Sequence, residues 1–297
     1  MNADSVKARL KNIAEKEGRV FQEILITYGL ERTIFRISIS DYADNFVLKG
    51  GILLYALFDK NFARATADVD FLAQRMSNNI NEIGDVFERI FSINADDALN
   101  YDLQTLQVEA ITEFKDYHGV NVSITAYLDK TRIPVSIDIG YGDVLYPEQE
   151  HMEFPVLLDM KVPKINAYSR YTVIAEKFEA IVSLGYANSR YKDFYDIYVL
   201  ASSYDFEGEK LQRAIRETFL HRKTSFGDIV AFEEQFADDD VRKKRWRAFV
   251  KKKNVSGAEG FAKVLKLIKQ FLKPVVDDIT GITICGKTWK HKVEDWT

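Results

Sequence analysis

The segment FVLKGG (residues 46–51), followed by ATADVDFL (residues 65–72), decides the fold of this chain. It predicts a short apolar strand, a double-glycine turn, a short helix and a second strand that carries two acids. Because alternate residues of a strand point to the same face, Asp68 and Asp70 are expected to lie side by side. Two like charges that close repel each other unless a cation lies between them, and hard carboxylate oxygens suit Mg²⁺ or Mn²⁺. The acid pair therefore predicts a divalent metal site.

The two glycines between the predicted strands indicate a second chemical function. Gly50 and Gly51 leave backbone N–H groups uncovered where a helix begins near Ile52, and such a helix start favours an anion such as phosphate. A phosphate site and a metal-binding carboxylate pair on adjacent strands indicate phosphoryl or nucleotidyl transfer. The sequence therefore predicts a transferase that uses a phosphorylated substrate.

A third acid is expected on a later strand. Residues 132–139 alternate between apolar and polar side chains, which places Asp138 on a polar face between isoleucines. A third carboxylate there can bind metal or act as a general base on an incoming hydroxyl. Asp143, in a glycine-bounded turn, is the rival candidate, and an ordinary exposed strand aspartate is the alternative interpretation.

Two predicted helices carry the remaining candidates. In residues 171–184, Lys177 falls within the apolar arc, so it must reach water or meet an anion such as nucleotide phosphate. Glu176 and Glu179 are predicted on the opposite side. In residues 192–200, Asp193 and Asp196 lie three apart on one face. We expect Asp193 to be functional and Asp196 to hold Lys177 or an arginine; the alternative is that both only lock the two helices together.

These residues resemble a known superfamily. The order of apolar residue, glycine pair, spacer, Asp, apolar residue and Asp resembles the signature of nucleotidyltransferases with the DNA polymerase β fold. The Lys-Gly-Gly version, with Arg64 and Thr66 ahead of the acids, is similar to AbiEii/AbiGii nucleotidyltransferases of abortive-infection and toxin–antitoxin systems. Gly51 stands where Ser is common in the superfamily, so no hydroxyl is available there for phosphate.

The resemblance implies an α/β (α+β) fold in two domains. Residues 1–165 would form a polymerase β-like nucleotidyltransferase domain with N-terminal helices and a mixed sheet. Residues 166–297 would form a helical C-terminal domain that completes the active site. Lys49, Arg64 and Thr66 would join the two glycines in binding the nucleotide.

The same resemblance assigns the chemistry. Asp68, Asp70 and Asp138 would bind Mg²⁺ or Mn²⁺, while Lys177 and Asp193 would complete the catalytic set. The substrate would be an NTP, the acceptor an RNA such as the tRNA 3′ end, and a cognate antitoxin would restrain the toxin. An enzyme of the same fold that modifies a small molecule or protein is one alternative. A non-catalytic nucleotide- or RNA-binding module is the other.

Composition and charge indicate the cellular location and the kinds of partner. The chain has 297 residues, a net charge of −4 and one cysteine, which fits a reducing cytosol and excludes an intramolecular disulfide. The beginning of the chain lacks the apolar core of a signal peptide, and the longest apolar run is too short to span a bilayer, so a cytoplasmic protein with no membrane partner is expected. Eight of the twelve residues in 242–253 are Lys or Arg. Trp246 and Phe249 interleave with them, which predicts either an RNA-backbone surface or a solvated helix docked by its aromatic residues.

The coarse secondary structure follows from periodicity. Apolar residues recur with helical spacing at 4–44, at 78–93 and throughout 171–276, with strand candidates at 108–114, 120–128 and 132–139. Prolines make much of 140–163 a predicted connection, and residues 282–284 are a candidate for a small terminal strand.

Overall fold

A computed structural model of the chain describes residues 2–60, 66–111, 119–253, 255, 259–279 and 286–297. The chain divides into two compact units. The first, called the sheet unit, contains Met1–Gly142 and Glu150–Ala167, and the second, called the helical unit, contains Asp143–Gln149 and Tyr168–Thr297. Of the helices that the structure describes, none combines the length and apolar character needed to cross a membrane.

The sheet unit combines helices with one mixed sheet. Its elements in chain order are α1 (Ala3–Glu17), α2 (Phe21–Ser38), β1 (Phe46–Lys49), α3 (Gly50–Leu57), β2 (Val69–Ala73), α4 (Ile80–Phe91), β3 (Leu99–Ile111), β4 (Gly119–Leu128), β5 (Thr131–Tyr141), β6 (Glu150–Glu153) and β7 (Lys164–Ala167).

The sheet has seven strands in the order β3-β4-β5-β2-β1-β7-β6. β2 runs parallel to β5, and β1 runs parallel to β7. The pairs β1–β2, β3–β4, β4–β5 and β6–β7 are antiparallel. The predicted α/β class with a mixed sheet is therefore confirmed, and β1 and β2, which carry the glycine turn and the acid motif, lie near the middle of the sheet.

Alternation along the strands separates a buried face from a polar face. In β5, Ile133, Val135, Ile137 and Ile139 are all buried, as the sequence pattern predicts. Helix α2 packs on this strand. At Gly29 of α2 a Cβ would lie 2.7 Å from the Cγ2 of Ile133, so the missing side chain lets the helix approach the sheet. One face of the central strands is thus covered, and the polar side chains point to the other.

Charged groups are buried in the sheet unit beside α2. Arg36 donates to both carboxylate oxygens of Asp97 at 2.6 and 2.9 Å, which ties α2 to the segment before β3. Glu31 is fully buried and accepts the N–H of Leu157 at 2.6 Å. Burial raises the pKa of Glu31 to about 7, although the Leu157 N–H and the Arg32 charge oppose that shift.

The helical unit consists mainly of helices. Its elements are α5 (Arg170–Leu184), α6 (Tyr191–Ser203), β8 (Phe206–Glu207), α7 (Gly208–His221), α8 (Glu234–Asp238), α9 (Asp240–Lys252), α10 (Phe261–Ile279), β9 (Thr288–Lys290) and β10 (Asp295–Trp296). The three strands form a small sheet in the order β10-β9-β8.

Three details of the secondary structure differ from the sequence prediction. The region after residue 171 is not helical throughout, because β8 pairs with β9; strands of two or three residues are too short to show a period of two. The predicted connection 140–163 contains β6, which pairs with β7 at the edge of the large sheet. The candidate strand 282–284 lies outside the described residues, as do residues 112–114 of the strand predicted at 108–114.

Candidate active site

The glycine turn between β1 and α3 is shaped around a carboxylate. Gly50 has φ +72°, a left-handed conformation that glycine adopts without strain. A Cβ at this position would lie 1.8 Å from Oδ2 and 2.4 Å from Cγ of Asp70. The Asp70 carboxylate therefore occupies the space in which any other residue would carry its side chain, at the N-terminus of α3. Gly51, in the first turn of α3, is buried.

Five polar residues form a line across the sheet, which we call the polar row. Each is the register partner of the next on the neighbouring strand, and register partners share a face. The row runs from Lys49 in β1 through Asp70, Asp138 and Asn121 to Glu109 in β3. Neighbouring strands lie about 4.8 Å apart, so Asp70 and Asp138 present their side chains from adjacent positions of parallel strands. The predicted third acid thus lies next to the second.

Lys49 brings a cation to these acids. A Cβ at Gly140 would lie 3.3 Å from the Lys49 Nζ, so the ammonium reaches from β1 as far as β5. Gly140 is two residues after Asp138 and points to the same face. The absence of a side chain at Gly140 leaves room for this cation beside the carboxylates.

Each outer acid of the motif has a neutral hydrogen-bond donor. Asn121 Nδ2 donates to Oδ1 of Asp138 at 2.7 Å. Thr66 Oγ1 donates to Oδ1 of Asp68 at 2.7 Å. Asp68 lies one residue before β2 rather than within it, so strand alternation does not fix its direction as the sequence predicted. Arg64, the other predicted nucleotide contact in this segment, lies outside the described residues.

Among the described residues, side chains alone do not form a complete metal site. In the described ranges no group of three or more His, Cys, Asp or Glu side chains is placed to hold a metal ion. The donor set still fits a hard divalent cation, because Asp70 and Asp138 are adjacent carboxylates on one half-buried face. The metal-binding role of Asp68, Asp70 and Asp138 remains a prediction.

In the helical unit Lys177 is held by two buried acids. Its Nζ lies 3.1 Å from Oδ1 of Asp193 and 2.7 Å from Oδ2 of Asp196, and both carboxylates are almost fully buried. Arg190, half exposed, donates from Nε to Asp193 at 2.8 Å. Burial alone would raise the pKa of Asp193, but the Lys177 and Arg190 charges hold it below its ordinary value. The inward lysine predicted from the helical pattern does meet anions, which join α5 to α6.

Arg222 forms a second ionic cluster that the sequence pattern does not indicate. Its guanidinium contacts Glu179 at 2.8 Å, Asp143 at 2.9 Å and Glu176 at 3.3 Å. Thr224 Oγ1 also donates to Glu179. The prediction that Glu179 lies away from the core is therefore wrong: Glu179 is buried, and the partly buried Arg222 at the end of α7 pairs with it. Asp143 belongs to this cluster in the helical unit, whereas Asp138 lies in the polar row.

The basic segment forms helix α9, which docks through one face and exposes cations on the rest. Trp246 is buried against Tyr191 and Phe261, and its Nε1 donates to the carbonyl of Glu259 at 2.9 Å. Arg242 is also buried and donates to the carbonyl of Asn188. The exposed cations are Lys244, Arg245, Arg247, Lys251 and Lys252, and none has a carboxylate within 4 Å among the described residues. Helix α9 thus combines docked aromatic residues with cations that face solvent.

Two residues that matter to this geometry were missed from the sequence. Asn121 is found only when β4 is paired with β5, and a polar residue in an alternating strand gives no local signal. Arg222 likewise cannot be distinguished from the other basic residues in the sequence, because only the fold brings it to Glu179. In both cases the missing information is the pairing of distant segments.

Comparisons with known proteins found a matching family and solved structures that resemble the chain. A sequence model of the family described as nucleotidyl transferase AbiEii toxin, type IV TA system, matches residues 32–266. No protein with a curated description matches the chain. A candidate nucleotidyltransferase of solved structure from Helicobacter pylori is 15% identical, with a TM-score of 0.48 over 86% of this chain and 95% of that chain. JHP933 from Helicobacter pylori is also 15% identical, with a TM-score of 0.43 over 85% of this chain and 94% of that chain.

Proposed function

Because this chain belongs to the AbiEii nucleotidyl transferase toxin family of type IV toxin–antitoxin systems, we propose that it transfers a nucleotide from an NTP to RNA, at the 3′ end of tRNA. The observation that carries the proposal is the polar row. Asp70 and Asp138 are register partners in it, and the Lys49 ammonium lies close by. Such a group of carboxylates with a neighbouring cation suits a charged phosphoryl substrate.

Asp68, Asp70 and Asp138 would hold Mg²⁺ or Mn²⁺. Adjacent carboxylates repel each other, and a divalent ion relieves that repulsion while meeting oxygen ligands that it prefers. Negative charge on the transferred phosphoryl group would be neutralised by the bound ion. The tight fit of Asp70 against Gly50 supports this role, since it fixes the carboxylate relative to the backbone.

The nucleotide would be bound by cations and backbone groups. Gly50 and Gly51 begin α3, whose N-terminal N–H groups are suited to a phosphate. Lys49 supplies a positive charge in the same unit. We assign Lys177 to the triphosphate and Asp193 to the catalytic set on the basis of the family resemblance. The two carboxylates that hold Lys177 would keep it charged and in place.

In the reaction an acceptor hydroxyl oxygen attacks the α-phosphorus in line. A new O–P bond forms as the bond from the α-phosphorus to the bridging oxygen breaks, and pyrophosphate leaves with the electron pair. The hydroxyl proton passes to water or to a neighbouring carboxylate. Binding and orientation by Lys49, Lys177 and the glycine turn would supply much of the rate enhancement.

Helix α9 supports RNA as the acceptor. Its five exposed cations have no carboxylate within ion-pair distance among the described residues, so they can contact a polyanion. Phosphate contacts of this kind bind RNA without reading its sequence. They suit an acceptor that is recognised by its backbone near a common 3′ end.

The biological role proposed is that of a toxin restrained by a cognate antitoxin. The family is a toxin family, and addition of nucleotides to tRNA ends would block translation. We place this activity in the cytoplasm, where both NTP and tRNA are available.

A transfer assay tests the proposal. Purified protein is incubated with Mg²⁺ or Mn²⁺, total tRNA and each α-labelled NTP in turn, beside an Asp68→Ala/Asp70→Ala variant. Asp85→Asn, which changes an exposed acid of α4, is the matched control. The expected result is metal-dependent label on RNA with the wild type and the control, and none with the double variant.

Other outcomes separate the alternatives. Metal-dependent nucleotide binding without label on RNA would reject the RNA acceptor and direct the search to small molecules and proteins. A protein that binds neither metal nor nucleotide would overturn the enzymatic proposal and favour a non-catalytic RNA-binding module.

A further inference from the structure

We propose that Asn121 is a positioning residue that orients Asp138 for the divalent metal ion. This role rests on the proposed function, since it takes Asp138 to be a metal ligand. It concerns the outer part of the polar row, where β4 lies beside β5. No family feature noted in the sequence indicates this residue.

The geometry around Asn121 is specific. Its Nδ2 donates to Oδ1 of Asp138 at 2.7 Å and to Oγ of Ser136 at 3.0 Å. Asn121 and Asp138 are register partners, so the amide approaches the carboxylate from the next strand. Because an ionised carboxylate can only accept hydrogen bonds, the amide nitrogen must be the atom that faces it.

Asn121 fixes the carboxylate without neutralising it. A strand aspartate has a broad χ2 well, and a hydrogen bond to one oxygen selects one plane for the carboxylate. Among the described residues Asn121 is the hydrogen-bond partner of Asp138, and the other oxygen, Oδ2, is left for a ligand. A lysine or arginine in place of Asn121 would cancel the charge that attracts a cation. A neutral amide keeps that charge available.

The other end of the acid motif uses the same arrangement. Thr66 is a neutral donor that holds Oδ1 of Asp68 at 2.7 Å, as Asn121 holds Oδ1 of Asp138. Hydrogen bonds from surrounding residues to metal ligands typically contribute about 10–100-fold to metal affinity. The polar row therefore assigns Asn121 a defined and measurable contribution.

Mn²⁺ binding to the full-length protein tests this role. The variants are Asn121→Leu, which keeps the branched shape but removes the donor, and Asn121→Ala. Ser136→Ala is the matched control, because it removes the second contact of the amide and leaves the bond to Asp138. Free Mn²⁺ is measured by electron paramagnetic resonance, and folding is followed by thermal unfolding.

The expected result is a rise of about 10–100-fold in the Mn²⁺ dissociation constant for both Asn121 variants. The Mg²⁺ concentration for half-maximal transfer should rise equally, while the KM for RNA stays unchanged. Ser136→Ala should match the wild type in both measurements. A merely structural role would lower the unfolding temperature without changing the dissociation constant of the folded protein.

The failures are distinguishable. Wild-type protein that binds Mn²⁺ and transfers label, with Asn121 variants that bind Mn²⁺ equally well, would overturn the role of Asn121 alone. Wild-type protein that neither binds Mn²⁺ nor transfers label would overturn both proposals.

Discussion

At the scale of single residues, position 50 has no alternative to glycine. Replacement by alanine would add a Cβ within 1.8 Å of Asp70 Oδ2, at a φ of +72°. The carboxylate must move or the turn must open, and either change disturbs the proposed metal ligand. We expect Gly50→Ala to lower transfer by at least about 100-fold, the size of effect that a small misplacement near the chemistry can produce.

Gly142 provides the control for backbone strain. It has φ +82°, but a Cβ there would have nothing within 4 Å. Gly142→Ala should cost about 1–2 kcal/mol of stability through strain and leave transfer nearly unchanged. Equal loss of transfer in both variants would show that the left-handed turn, and not the contact with Asp70, is what matters at Gly50.

Glu31 should make the stability of the sheet unit depend on pH. Its pKa is raised from 4.5 to about 7 by burial, so the native state binds more protons than the unfolded state between those values. This contribution to stability is therefore present at low pH and is lost as pH rises towards 7. Glu31→Gln removes the titration and can still accept the Leu157 N–H.

We expect Glu31→Gln to gain stability relative to the wild type as pH increases from about 4.5 to 7, by roughly 3 kcal/mol at most. Urea denaturation at several pH values measures the difference. A constant difference across this range would contradict the raised pKa.

At the scale of secondary structure elements, Lys177 joins α5 to α6. Lys177→Met would leave Asp193 and Asp196 buried without their shared cation, which should cost about 3–5 kcal/mol. Arg190→Gln is the control, because that half-exposed ion pair should contribute less than about 1 kcal/mol. Denaturant unfolding measures the loss of stability in both variants. Similar losses would argue against a large contribution from the buried ion pairs of Lys177.

Variants of helix α9 should distinguish its docking through Trp246 from its proposed binding of RNA. Trp246→Ala removes a buried aromatic anchor and should destabilise the protein by about 3–5 kcal/mol. Lys244, Arg247 and Lys251 lie on one exposed face at helical spacing, so reversing them to Glu should preserve the fold and raise the KM for RNA by at least about tenfold.

A matched reversal on another helix controls for net charge. Arg9, Lys11 and Lys16 are exposed on α1, and their replacement by Glu changes the total charge by the same amount. Equal effects of the two triple variants on the KM for RNA would mean that α9 is not a specific RNA surface. Steady-state kinetics at several salt concentrations measure this.

At the scale of the whole molecule, the chain leaves the sheet unit at residue 143 and returns at 150. The intervening segment is held by the helical unit: Thr172 donates to the Tyr146 carbonyl, and the Arg213 guanidinium lies 4.2 Å from the Tyr146 ring centre. Tyr146→Ala should therefore raise hydrogen exchange in α5 and α7 and leave β4 and β5 unchanged. Glu148→Ala, at an exposed position, is the control.

The sequence indicates local elements and misses distant pairing. The alternation around Asp138 and the inward direction of Lys177 could be predicted, because each depends on a few neighbouring residues. The membership of residues 143–149 in the helical unit, and the bond from Asn121 to Asp138, could not be. Both depend on which distant segments pair in the fold, and short-range periodicity gives no information about that pairing.

The tie between Asp143 and Arg222 has a consequence for synthesis on the ribosome. The two residues are 79 positions apart in the chain. At ~5–20 residues per second, Arg222 is made roughly 4–16 s after Asp143. During that interval the segment 143–149 and the following strands β6 and β7 are made before the arginine that pairs with Asp143. The first segment of the helical unit to be made thus lacks its ionic partner until α7 has been synthesised.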